Sequence, residues 1–327
     1  MIRYNSFFAV VLVCALSADA RAVTMSWSPV GNPGNANDPA TGNGNLFGGV
    51  SYNYNIGTYD VTNNQYVEFL NAKDPNGTSP LQLYNSHMSS ASFGGISFNN
   101  LNPAGSMYGV ISGDGNHPVN YETWYSAIRF ANWLNNGQGS GDTETGAYTL
   151  LGGMAFPVNG YRITRNAGAT VFLPSENEWY KAAYNNPGGS TYNLYPTSSS
   201  LTPTASGPTA TPNSANYNNA VGNLTDVGAY SGTTSPYGAF DMGGNVFQWN
   251  ETLLSLAFRE VRGGSFDSPN TSSSSAGFTA PTTEHSNIGF RLVNIPGGFI
   301  VPEPSTFVLA AFGFIGLAAW GWRRLKR

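Results

Sequence analysis

Charge is scarce in this sequence. Of 327 residues only 10% are Asp, Glu, Lys or Arg, against about 25% in an ordinary soluble domain. The 14 Lys and Arg are outnumbered by 18 Asp and Glu, for a net charge of −4. That excludes the basic footprint a nucleic-acid binder needs. Cysteine is scarcer still, with Cys14 alone. There are three histidines, His87, His117 and His285, with no HxH or HxxxH spacing. The 40 Gly and 20 Pro exclude a long-helix protein. What is present is aromatic: 7 Trp, 18 Tyr and 19 Phe, 13% of the chain. Disordered chains lack such apolar groups, so the sequence predicts a folded, loop-rich domain with an Asn, Ser, Thr and Gly surface.

Both ends read as addresses. Arg3, an apolar run over 7–16 and Ala18-Asp19-Ala20 make a charged region, a hydrophobic region and a small-residue cleavage site. Ala20-Arg21-Ala22 is a second such site. A signal peptide over 1–22 is expected, and its removal would take Cys14 with it. No disulfide, thiolate metal site or Cys nucleophile would then remain. At the other end Val301-Pro302-Glu303-Pro304 precedes a mostly apolar run over 306–322 and the cluster Arg323-Arg324-Leu325-Lys326-Arg327. That run is slightly short for a membrane span of about 20 residues, and the basic cluster should stay cytoplasmic. The three parts together closely resemble the PEP-CTERM sorting signal. The resemblance implies an exosortase-type peptidase as partner and a Gram-negative envelope protein bound for the cell surface or an exopolysaccharide matrix. It also implies a membrane helix at the C-terminus before processing. Between Val23 and Ser305 there are 8 basic and 17 acidic residues, a charge of −9.

The middle divides into an irregular lead-in at 23–44, a single domain at 45–294, a linker at 295–300 and the sorting signal at 301–327. Residues 197–214 and 270–275 are Ser-rich and read as surface loops. Three helices are predicted. The first follows Thr62, which forms a capping box with Gln65; Tyr66, Phe69 and Leu70 share its inner face, and Asp74-Pro75 ends it. The second spans 121–135, with Trp124, Ala127, Ile128, Ala131 and Leu134 as its stripe. The third follows Ser175, boxed with Glu178, and turns Trp179, Ala182 and Ala183 inward. Short runs at 161–164, 170–173 and 259–261 read as strands. The class is α+β with much irregular backbone. Trp249, Phe266 and Phe290 are expected in the core, and the glycine pairs 243–244 and 263–264 permit positive φ and close backbone approach. Glu176 and Glu178 are two apart and cannot share a helix face.

Six motifs then fall in order. They are Tyr59-Asp60-Val61-Thr62-Asn63-Asn64-Gln65-Tyr66, then His117-Pro118-Val119-Asn120 with Phe130-Ala131-Asn132-Trp133, and Leu173-Pro174-Ser175-Glu176-Asn177-Glu178-Trp179. Tyr237-Gly238-Ala239-Phe240-Asp241-Met242-Gly243-Gly244-Asn245-Val246-Phe247-Gln248-Trp249, Val261-Arg262-Gly263-Gly264-Ser265-Phe266 and Ile288-Gly289-Phe290-Arg291 follow. The series resembles the sulfatase-modifying-factor family, whose founding member is the formylglycine-generating enzyme. The resemblance spans about 46–294 and implies a C-type-lectin-like fold.

In that family two cysteines between the Arg-Gly-Gly-Ser and Gly-Phe-Arg motifs hold copper, and a thiolate pair suits Cu(I). Here the interval holds Ser272, Ser273, Ser274, Ser275, Gly277 and Thr279, and no Cys. No copper is therefore expected, no catalytic residue is assigned, and a non-catalytic binding scaffold is the leading reading. Exposed aromatics stacking on envelope polysaccharide are one use for it. An enzyme with a non-thiol site in the same pocket, bordered by His285, is the alternative. The resemblance also implies calcium. One family site maps to the Asp241 side chain, the Gly244 and Val246 carbonyls and Gln248, where Gln replaces an acid. A second maps to the Asn216 side chain and the Tyr217 carbonyl. Hard oxygen ligands suit Ca²⁺.

Overall fold

The computed structural model describes residues 22–40, 46–89, 92–255, 257–272 and 275–296. The expected leader and sorting segment lie outside these, apart from Ala22. Among the described residues no helix is long and apolar enough to cross a membrane; the run at 306–322 is not among them.

Three helices form where capping chemistry permits. Helix α1 (Asn63–Lys73) starts at Thr62, whose side chain accepts from the Gln65 N–H while the Gln65 side chain accepts from the Thr62 N–H. This reciprocal box satisfies two donors that a helix start leaves orphaned. Helix α3 (Glu176–Tyr184) has the same box from Ser175 and Glu178. Helix α2 (Trp124–Asn135) begins three residues later than the sequence pattern predicts, capped by Thr123. The reason is local: Tyr121 is held at φ +59 and its N–H donates to the His285 carbonyl, so it cannot enter the helix.

In chain order the strands are β1 (Trp27–Val30), β2 (Tyr54–Gly57), β3 (Ile96–Phe98), β4 (Tyr108–Val110), β5 (Val171–Phe172) and β6 (Thr204–Ala205). They continue with β7 (Ser214–Ala215), β8 (Phe247–Ser255), β9 (Phe258–Arg262), β10 (Ala276–Thr279), β11 (Ile288–Phe290) and β12 (Val293–Asn294). One sheet has the order β1-β2-β12-β5 and is antiparallel throughout. The other has the order β10-β9-β8-β11, with β11 parallel to β8. Two small pairs, β3-β4 and β6-β7, lie apart.

The lead-in is therefore not wholly irregular, because β1 lies within it. Pro29 is tolerated there since β1 is an edge strand. The predicted strand at 161–164 is instead a 3₁₀ turn, Gly160–Arg162. Arg259 Nη2 reaches the carbonyls of Tyr161 and Ile163, which removes them from any ladder. The second Ser-rich stretch is not all surface: Thr271 and Ser272 are buried.

The core is aromatic. Tyr66 and Phe69 of α1, Phe130 and Trp133 of α2, and Phe290 of β11 pack with ring centroids 5.3–5.5 Å apart. Such edge and tilted contacts are the favoured geometries. Trp249 and Phe266 are also buried, as expected. Of the two glycine pairs, Gly244, Gly263 and Gly264 take positive φ and Gly243 does not. Gly243 is required for space: a Cβ there would stand 2.5 Å from Pro196 Cγ.

Candidate functional site

The loop from Asp241 into β8 carries one expected calcium set. Asp241 is held at φ +53, and its Oδ2 accepts from the Gly228 N–H at 2.6 Å. Burial pushes its carboxyl up to about 6, against the Gly228 hydrogen bond and the charge of Arg291. Gln248 does reach Asp241, but with its nitrogen: Nε2 donates to the Asp241 carbonyl at 2.8 Å. Its oxygen faces inward, accepting from Trp179 Nε1 at 2.6 Å and Arg291 Nε at 2.7 Å. Arg291 is fully buried and also donates to the Gly57 and Phe240 carbonyls. Its Nη2 lies 3.0 Å from Asp60 Oδ1. Burial pushes Asp60 up to about 7 even so.

The Asp241 set therefore does not present the oxygen shell that the resemblance implies. Both lone-pair directions of the Gln248 oxygen are occupied by N–H donors. Gly244 is fixed for another reason: a Cβ on it would stand 2.3 Å from the Asn216 carbonyl. Val246 packs with Leu224 and Phe266. The cavity beside Asp241 measures 10 Å³, about one water. Among the described residues no three His, Cys, Asp or Glu converge as a metal site.

The second expected set is different. Asn216 is buried, and its Nδ2 donates to the Asn223 carbonyl at 2.8 Å and to Asn245 Oδ1 at 3.3 Å. Those two acceptors fix which way the amide points. Its Oδ1 is left buried with no hydrogen-bond partner. The neighbouring Tyr217 carbonyl accepts one N–H, from Ala220 at 3.1 Å, which leaves it a lone pair. Asn216 Oδ1 is thus a buried oxygen that no donor reaches, next in the chain to a carbonyl with one donor.

Hydrogen bonds tie the two ends of the cysteine-free interval together. Ser265 Oγ lies 2.8 Å from Ser268 Oγ and donates to Asp267 Oδ1 at 2.6 Å. Asn287 Nδ2 donates to both Asp267 oxygens. Ser273 and Ser274 lie outside the described residues. The histidines do not assemble. His117 sits between Asp114 and Asp226, at 3.6 and 3.7 Å. The His87 ring stacks on Tyr121 at 5.5 Å, and the exposed His285 offers only its carbonyl to the same residue.

Three acidic groupings escape a sequence reading. Arg165 bridges Glu178 and Glu251, both at 2.6 Å. Burial raises Glu251; burial also opposes ionisation of Glu178, but Arg165 outweighs it and holds that carboxyl low. Arg262 pairs with Glu176 at 2.5 Å and Glu260 at 3.3 Å. Glu176 and Glu178 thus serve separate arginines, in line with their opposed faces. Glu122 is buried, and neither oxygen has a hydrogen-bond partner. Burial raises its carboxyl well above the usual range. An open cavity of 370 Å³ lies beside Arg165, lined also by Tyr52, Asn166, Gly168 and Phe172.

Comparison with known proteins bears on both parts of the chain. Residues 50–295 match the sulfatase-modifying factor enzyme 1-like domain. Residues 301–326 match the PEP-CTERM protein-sorting motif. The fold is similar to that of CarF, 20% identical, with 83% of this chain and 98% of that one covered at a TM-score of 0.53. It is also similar to the Treponema denticola variable protein 1, 18% identical, with 84% and 96% covered at a TM-score of 0.54. At these identities the likeness is one of fold. No curated protein matches the sequence.

Proposed function

The chain belongs to the sulfatase-modifying factor enzyme 1-like family, and from that premise we propose that its domain is a non-catalytic binding scaffold of the cell surface. Its sorting motif indicates export to a Gram-negative envelope and processing by exosortase-type machinery. The observation that carries the reading is the cysteine-free interval between Ser265 and Gly289. A serine hydroxyl stays protonated at neutral pH and is a poor Cu(I) ligand. Here Ser265 is also bound to Ser268 and to Asp267. The family's oxidation of a substrate cysteine therefore has no thiolate pair to hold its metal.

The ligand we assign is envelope polysaccharide, met by exposed aromatics on a polar, charge-poor loop surface. Calcium belongs at Asn216 and Tyr217, as a weak structural ion. Two protein oxygens of the six to eight that Ca²⁺ takes leave the rest to water.

Two assays test the proposal together. A cysteine-containing sulfatase peptide, incubated with the chain, oxygen and copper, should yield no formylglycine. An array of envelope polysaccharides should show saturable binding that mild heat unfolding abolishes. Formylglycine formation would overturn the first half, and an array without binding the second.

A further inference from the structure

The open cavity of 370 Å³ beside Arg165 serves none of the sites that the sequence predicts. Its volume falls within the range of small-ligand sites, about 300–1,000 Å³. The Arg165 guanidinium forms its floor, and the neighbours of that group decide what can bind. The guanidinium carbon lies 3.5 Å from the centre of the Phe172 ring, which is van der Waals contact. Phe172 is fully buried, whereas 18% of the Arg165 side chain is exposed. Arg165 therefore covers the ring with one flat face and turns the other to the cavity.

The edge of the guanidinium is occupied. Nη1 and Nη2 donate to the two Glu178 oxygens at 3.0 and 2.6 Å. Nε and Nη2 donate to the two Glu251 oxygens at 3.0 and 2.6 Å. Four of the five guanidinium N–H donors are thus engaged. The carboxylates are fixed in turn. Glu178 accepts from the Ser175 N–H and the Tyr52 hydroxyl, and Glu251 from the Tyr148 hydroxyl. Asn166, in the cavity wall, donates through its amide to the Gly146 carbonyl and to Thr149 Oγ1. The turn above is made of small residues, and a Cβ on Gly168 would meet nothing within 4 Å.

We propose that this cavity binds a neutral planar aromatic group, an indole or phenol ring stacked on the outer face of Arg165. Other ligand classes fit the lining less well. An anion would find one remaining N–H and two carboxylates set against a single guanidinium. A cation would meet the guanidinium face itself. A sugar needs directed partners for its hydroxyls, and both the Arg165 edge and the Asn166 amide are already bound. A guanidinium face is weakly hydrated, asks for no further hydrogen bond and attracts the π-face of an electron-rich ring. Arg165 is held in place before the ligand arrives, so little side-chain freedom is lost on binding. The ligand is separate from the polysaccharide assigned to the loop surface, and the inference does not rest on that assignment.

The test titrates the full chain, in lipid nanodiscs with labelled alanine methyl groups, with indole, N-acetyltryptophanamide, indole-3-acetate and methyl glucoside. Indole should bind saturably and shift the Ala167 and Ala169 methyl resonances through its ring current. Indole-3-acetate should bind severalfold more weakly, and methyl glucoside should leave both resonances in place. Ala167→Trp fills the cavity from an exposed position. It should keep the thermal midpoint and abolish the shift at Ala169. Arg165→Lys keeps the charge and loses the flat face, and should weaken indole about tenfold. Binding of indole and N-acetyltryptophanamide alike would assign a ring carried on a peptide, and binding of indole alone a free aromatic; both support the site. No saturable shift, equal affinity for indole and indole-3-acetate, or a shift that persists in Ala167→Trp would overturn it.

Discussion

Gln248 and Asn216 occupy comparable positions and have opposite fates. Each corresponds to a side chain expected to offer oxygen to calcium. At Gln248 the oxygen is taken by Trp179 and Arg291. At Asn216 the oxygen is buried and bare. The difference follows from the neighbours. An amide has one face that donates and one that accepts, and beside a buried guanidinium the accepting face turns toward the cation. Arg291 is then the fixed positive charge of that region, and a metal there would be a second one. No hydrogen-bond donor reaches the Asn216 oxygen. An unpaired buried acceptor is costly, so the site gains from an ion or a water.

Removal of Arg291 should separate the two sites most strongly. Arg291→Met should cost about 3–5 kcal/mol, since it strands the buried Asp60 carboxyl. Asn216→Ala should cost about 1 kcal/mol, the value of an ordinary hydrogen bond. Urea denaturation of both variants measures the two costs, and equal costs would contradict the asymmetry.

A smaller effect is pH dependence on the Arg291 side. Asp60 and Asp241 are raised by burial to about 7 and about 6. The folded chain holds these protons more tightly than the unfolded chain, whose Asp groups titrate near 4. Their contribution to stability is complete below about pH 4 and is lost as pH climbs toward about 7. Asp60→Asn should flatten that slope, whereas Asn216→Ala should leave it intact. Denaturation midpoints between pH 4 and 8 decide this.

Calcium supplies a finer probe. Asn216→Asp should lower stability in chelator, where it buries an unpaired charge. In calcium it should recover, by about 1.4 kcal/mol at ten times the dissociation constant. An aspartate that destabilises equally in both buffers would remove the ion from this position. The smallest expected effect is at Gln248. Gln248→Glu should leave the calcium response of the chain unchanged, because Arg291 takes up the new charge. A new calcium-dependent shift in thermal midpoint would return the site to Asp241.

Local signals made the helices legible. Thr62 with Gln65 and Ser175 with Glu178 are short-range pairs, and both boxes form as their spacing predicts. Long-range control explains the misses. Tyr121 is taken out of α2 by His285, more than 160 residues away. The turn at 160–162 is set by Arg259. Strand β1 was hidden because Pro29 and the surrounding Asn and Gly read as loop, and only its edge position makes the proline acceptable. The site was legible in its residues but not in their orientation. The sequence names Gln248 and Asn216; the direction each amide faces is decided by Arg291 and by the Asn223 carbonyl. Glu122, with no motif around it, gave no signal at all.

On the reading proposed above, this domain keeps the family fold without the family's redox metal. Elemental mass spectrometry of the purified chain, after exchange into metal-free buffer and then into millimolar calcium, tests it most directly. The expected result is calcium at no more than about one ion per chain, with copper and iron far below one. Stoichiometric copper or iron that survives the exchange would contradict it.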